Sequence, residues 1–198
     1  GITVCGNIGK NPLFRINAQQ GAVTLNGLTV FGGGPGITVS PGANLNIISC
    51  IVERSDGAGI EFRGNNLHVS GTTCRMNGGE GMSCSASGQV SISKSLFMDN
   101  ATGGLTATAP KLTISYCRIE DNRGIALEIN GARAYVANST VKGNNSYRML
   151  CSAIVHSGGF ARLDNCTVSE NVGGGVSNLG GTMELRQCSI TGNMFSRS

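Results

Sequence analysis

The chain has 198 residues, 31 of them glycine, with no tryptophan, 13% charged residues and a net charge of +4. Glycine at this level without a G-x-y period excludes collagen, and a hydrophobic share of 39% is too high for a disordered Gly-rich linker. The basic residues are scattered rather than gathered on one segment, so nucleic acid is not expected as a partner. No apolar run approaches the roughly 18 residues of a spanning helix, so no membrane insertion is expected.

The first strand-like run is Ile2-Thr3-Val4, followed by the alternating pair Phe14/Ile16. From there a repeat governs the chain. Leu25, Ile47, Val69, Ile92, Ile114, Val136, Leu163 and Leu185 form one apolar column, with spacings of 22, 22, 23, 22, 22, 27 and 22. Two residues earlier stand Val23, Leu45, Leu67, Val90, Leu112, Ala134, Ala161 and Met183. Five residues later stand Val30, Val52, Cys74, Phe97, Ile119, Val141, Val168 and Ile190. A second alternating pair recurs in each unit: Ile37/Val39, Ile60/Phe62, Met82/Cys84, Leu105/Ala107, Leu127/Ile129, Ile154/His156 and Val176/Asn178. Period-2 runs this short, separated by Gly- and Asn-rich turns, predict strands and no helix.

Eight residues after the first column, Gly33 and Ser55 are followed by Asn77, Asn100, Asn122, Asn144, Asn171 and Asn193. Asn tolerates a left-handed backbone, and its amide can bond the equivalent Asn above and below. These residues are therefore expected to stack as a ladder at one turn. Opposite charges one repeat apart (Glu53/Arg75, Glu120/Lys142, Arg162/Glu184 and Asp164/Arg186) agree with that register.

A 22-residue unit cannot bury its apolar positions alone, but stacked units share one core. The predicted fold is all-β: a single-stranded right-handed parallel β-helix of about eight coils with three parallel sheets, forming one domain over 1–198. One extra residue falls within Ser85 to Gln89, and a five-residue loop insertion falls around 145–152. The chain opens on Gly1 and closes soon after Met194-Phe195, with no capping segment at either end. It is therefore expected to be a segment of a longer protein, its open coils meeting flanking domains or neighbouring chains.

Phe97-x-x-Asn100 followed by Gly103-Gly104-Leu105, and Val168-x-x-Asn171 followed by Gly174-Gly175-Val176, resemble the F-x-x-N and G-G-A-[ILV] repeats of chlamydial polymorphic outer-membrane proteins. They also resemble related repeats in large secreted bacterial and algal surface proteins. The resemblance covers nearly the whole chain and implies an extracellular or cell-surface location. It implies architecture more than activity, because this coil serves adhesins, lyases and tailspikes alike.

Cys50, Cys117, Cys166 and Cys188 share one column with Leu28, Thr72, Ser95 and Ser139, while Cys74 and Cys84 fall on inward columns. At least four of these read as small buried hydrophobes. The other reading is disulfides, with Cys166–Cys188 the favoured pair because α-carbons one coil apart lie about 4.8 Å from each other. No C-x-x-C exists, and His68 and His156 occupy different columns, so zinc is not expected. Sequons begin at Asn100, Asn138, Asn144 and Asn165, two of them inside the Asn column.

Enzymes on this architecture gather carboxylates and a base on one outer sheet. The N-T-D, D-D and G-H-G set of polygalacturonases and the D-P-H set of epimerases are absent from the sequence. The nearest arrangement is Asp99 stacked on Asp121, with Glu120 and Glu170 nearby, a pair that could hold calcium or could simply splay into water as turn residues. Beyond calcium, no cofactor is expected. The functional reading is a non-enzymatic structural or adhesive solenoid rod, as a surface module or a spacer in an appendage. The competing reading is a polysaccharide-binding or pectate lyase-like β-helix.

Overall fold

A computed structural model describes residues 2–6, 9–18, 21–131, 133–145 and 152–194. Within them the chain winds as a right-handed solenoid of three parallel sheets, and no described residue is helical. The first sheet has nine strands, from Ile2–Cys5 to Ser189–Thr191. The second has eight, from Phe14–Ile16 to Val176–Asn178, and the third eight, from Ala22–Asn26 to Thr182–Arg186. Each coil passes from first to second to third sheet and climbs by one strand, so every neighbour in a sheet is the same element of the next coil.

The apolar columns pair in register throughout: Leu25 with Ile47, Val52 with Cys74, Cys74 with Phe97, Met82 with Leu105. Alternation within each short strand sends these side chains into the lumen, where Phe62, Phe97, Ile92, Ile114 and Ile119 are fully buried. Burying a side chain of that size stabilises by roughly 1.5–3 kcal/mol, and stacking makes the burial continuous from coil to coil.

The single-residue insertion sits in the turn between second and third sheets: Cys84 pairs with Ala107, 23 positions on, but Val90 pairs with Leu112, 22 positions on. Most of the 145–152 insertion lies outside the described residues. On either side of it the register resumes, and the Asn144 N–H donates to Asn171 Oδ1 at 2.9 Å across 27 positions.

Two expectations need correction. The ladder asparagines do not occupy the left-handed region. The residue just before each one does: Met76, Asp99, Asp121, Gly143, Glu170 and Gly192 have φ between 54° and 66°, as does Arg54 before Ser55 in the same column. That twist turns the following Asn inward, where its amide replaces the bonds that the bent backbone gives up. Of the four cross-coil ion pairs, Arg75–Glu53 (2.6 Å) and Arg162–Glu184 (3.0 Å) form. Glu120 instead pairs with Arg118 on its own strand, Lys142 with Glu170, and Arg186 with Glu184, because flexible side chains on an exposed face take the nearest partner. In this structure Cys166 and Cys188 are both thiols, each turned to donate to the carbonyl two residues before it.

Candidate functional site

The outer face of the second sheet carries a groove of about 640 Å³, lined by Glu61, Arg63, Ser83 and Ser85 and flanked by the turns at Pro41-Gly42 and Ala86-Ser87. Alternation dictates that content, since Phe62 and Cys84 point inward and their neighbours must face out. Glu61 stands in register between Thr38 and Ser83 and makes no ion pair among the described residues. Thr38 Oγ1, next to it, is buried without a hydrogen-bond partner. Glu61 also borders a second depression of about 390 Å³ with Lys10 and Asp56, where Asp56 Oδ2 accepts from the Gly9 N–H at 3.0 Å. A carboxylate, a guanidinium and two hydroxyls on a flat ribbon can hydrogen-bond a polyol along the rod.

Asp99 and Asp121 lie on adjacent coils, exposed, both in the left-handed turn position. The Asp121 carboxylate leans over Gly143 on the following coil: a Cβ there would fall 2.4 Å from its Oδ1. No cluster of three or more His, Cys, Asp or Glu suited to a metal exists among the described residues. His68 is exposed between Asn46 and Ser91. His156 is fully buried, its Nδ1 2.7 Å from Asn178 Oδ1 and its Nε2 without a partner.

Asn77, Asn100, Asn122, Asn144, Asn171 and Asn193 stack as one ladder. From Asn100 onward each Oδ1 accepts both the backbone N–H and the Nδ2 of the Asn one coil earlier, as Asn122 Oδ1 does from Asn100 at 3.0 and 2.9 Å, while Asn77 Oδ1 accepts from the Ser55 N–H. Each Nδ2 also donates to a carbonyl of the preceding coil, such as Asn122 to Phe97 O at 3.0 Å. The G-G motifs beside the ladder have a matching reason. A Cβ on Gly81 would lie 2.9 Å from Asn100 Nδ2, and one on Gly104 would lie 2.5 Å from Ala126 O.

A second polar column, read in the sequence as small hydrophobes, runs along the turn from third to first sheet. Ser95 and Ser139 donate to the carbonyl two residues back at 2.7 and 2.8 Å, and Cys117 does so at 3.4 Å. Thr72 N–H donates to Ser95 Oγ, and Cys117 N–H to Ser139 Oγ. Burial pushes the Cys166 thiol up to about 11, and Cys84 up to about 12. These thiols are protonated at neutral pH and poor nucleophiles.

The model of the right-handed β-helix region matches residues 14–159. The chain belongs to this β-helix family. Among solved structures, the β-helix is similar to the crystal structure of pectate lyase Pel9A, with a TM-score of 0.54 and 13% identity over 98% of this chain and 70% of that one. At that identity the likeness extends to the fold alone. No curated protein matches.

Proposed function

We propose that this β-helix is a structural or adhesive rod module of an extracellular or cell-surface protein or appendage, its last described coil docking against a neighbouring chain. The observation that carries the reading is the contrast within two columns. Leu163 and Val168 are 0% exposed, whereas Leu185 and Ile190, one coil further, are 45% and 41% exposed. Met194 extends the same uncovered apolar edge. The backbone of that coil presents strand edges of the kind that pair with another chain. The resemblance to surface-protein repeats supports an external location.

Solution size tests the reading. Sedimentation across a range of concentrations should show reversible association that Leu185→Glu weakens, with the solenoid's β-sheet content unchanged. A protein that stays monomeric at all concentrations, with the amides of residues 182–191 as slow to exchange as the central coils, would refute it.

A second reading, polysaccharide binding, is favoured by the Glu61–Arg63 groove. Titration with neutral and uronate oligosaccharides should then give binding that Arg63→Ala abolishes. No binding to either class would remove this reading.

A further inference from the structure

Of the four cysteines in the turn column, only two have a cysteine for a neighbour. Cys50 lies between Leu28 and Thr72, and Cys117 between Ser95 and Ser139; Cys166 and Cys188 stand one directly on the other. The register on both sides is parallel and unbroken, Asp164 with Arg186 and Thr167 with Ser189, so the α-carbons are separated by one strand spacing, about 4.8 Å. That lies inside the window of about 4.4–6.8 Å that a disulfide spans. The two thiols share a rotamer, since Cys166 Sγ donates to Asp164 O at 3.3 Å and Cys188 Sγ to Arg186 O at 3.2 Å. They lie close enough that Cys188 helps raise the pKa of Cys166. Cys166 is buried, while Cys188, in the last complete turn of this column, is half-buried and open to reagents.

We infer that Cys166 and Cys188 form a redox-active pair, oxidised by a small-molecule disulfide to a cross-link that clamps the last described coil onto the one before it. This inference is independent of the rod reading above. The Cys188 thiolate attacks the reagent, forming a mixed disulfide and expelling one thiolate, which takes up a proton. Cys166, losing its own proton, then attacks Cys188 Sγ. The new S–S bond forms as the second reagent thiol leaves. Two electrons pass to the reagent, and both cysteine protons end on its two released thiols. Each sulfur gives up a carbonyl contact worth little beside the 22-residue loop that the bond closes.

The test uses the whole chain, reduced and then treated with glutathione disulfide at mildly alkaline pH. Peptide mapping by mass spectrometry should find a Cys166–Cys188 link, two hydrogens lighter than the reduced pair, with Cys50, Cys74 and Cys117 still free. Amide exchange over residues 182–191 should slow by about tenfold or more in the oxidised form, and revert on reduction. Cys117→Ser should leave both results unchanged. Accumulation of a stable glutathione adduct on Cys188, linkage of either residue to a different cysteine, or unchanged exchange after cross-linking would each overturn the inference. Mapping on the unmutated chain keeps the test valid even if Cys166→Ser or Cys188→Ser fails to fold.

Discussion

The two turns that flank the first sheet solve the same problem with different residues. Both carry a left-handed position followed by an inward polar side chain: Asp99 then Asn100 on one side, Lys94 then Ser95 on the other. In the Asn turn each side chain between the two end rungs both donates and accepts at least twice, so these rungs tie to the coil before and the coil after. In the second turn a hydroxyl accepts one N–H from the coil before and spends its only proton on a carbonyl two residues back. A thiol keeps the donation and is a weak acceptor. The first turn is a continuous ladder. The second is a series of separate clasps, interrupted wherever cysteine replaces serine or threonine.

The largest expected effect breaks the continuous side. Asn122→Ala removes the amide donations to Phe97 O and Asn144 Oδ1 and strips Asn100 of the acceptor for both its N–H and its amide, all of them buried. At roughly 1–3 kcal/mol for an unsatisfied buried group, a loss of about 3 kcal/mol is expected. Ser93→Ala removes one half-buried hydroxyl, 3.3 Å from Ser70 Oγ on the outer face, and by the same urea denaturation should cost less than about 1 kcal/mol. Equal midpoints for the two variants would show that the ladder contributes no more than a surface hydroxyl.

Glycine makes room for that ladder, which gives the next effect. On Gly104 a Cβ would lie 2.4 Å from Ile119 Cγ2 and 2.5 Å from Ala126 O, neither of which is the free end of a flexible side chain. Gly104→Ala should therefore cost about 1–3 kcal/mol, as overpacking does, although its backbone φ is ordinary. Gly27, whose Cβ would meet nothing within 4 Å, serves as the control for space, and any cost of Gly27→Ala would come from its φ of 67°.

The ladder and the apolar columns were legible in the sequence because a solenoid repeats its environment at a fixed interval, so each column shows eight instances of one constraint. What the columns could not convey was direction within the turn. Asn at a tight turn suggests the left-handed residue itself, yet that role falls to Met76, Asp99 and Glu170, which have no common chemistry to announce it. The cysteine column misled for a related reason: beside Leu28, Cys50, Thr72 and Ser95 average to small and apolar, whereas the bonds these three make depend on one polar atom each. The groove at Glu61 and Arg63 was invisible because it depends on how far the flanking turns rise, which no column spacing encodes.

Alkaline pH separates thiol from hydroxyl clasps by titration. Burial raises Cys166 from 9.0 to about 11, so the folded chain holds a proton that the unfolded chain releases. The stability this contributes is fully present below pH 9 and is lost as pH rises through about 11. A shift of this size corresponds to on the order of 2 kcal/mol. Denaturation midpoints should fall between pH 8.5 and 10.5, and Cys166→Ser should flatten part of that slope. An identical slope in the variant would mean that this thiol titrates alike in both states.

The smallest effect distinguishes two buried cysteines that the sequence treats alike. Cys117 sits among clasps: its Sγ points at Ser115 O, 3.4 Å away, and Ser95 on the coil below has no hydroxyl above it. Serine at 117 would donate to the same carbonyl and offer an oxygen to the Ser95 N–H, as Ser95 itself does for Thr72 at 3.2 Å. The gain of one hydrogen bond roughly offsets the smaller apolar volume, so Cys117→Ser should leave stability within about 0.5 kcal/mol of the parent. Cys74 instead lies in the lumen between Val52 and Phe97, fully buried. A hydroxyl there would be desolvated among aliphatic and aromatic side chains, and Cys74→Ser should cost about 1–3 kcal/mol. If the two substitutions cost the same, the turn column would be ordinary core, and the distinction between ladder and clasp would reduce to one between asparagine and everything else.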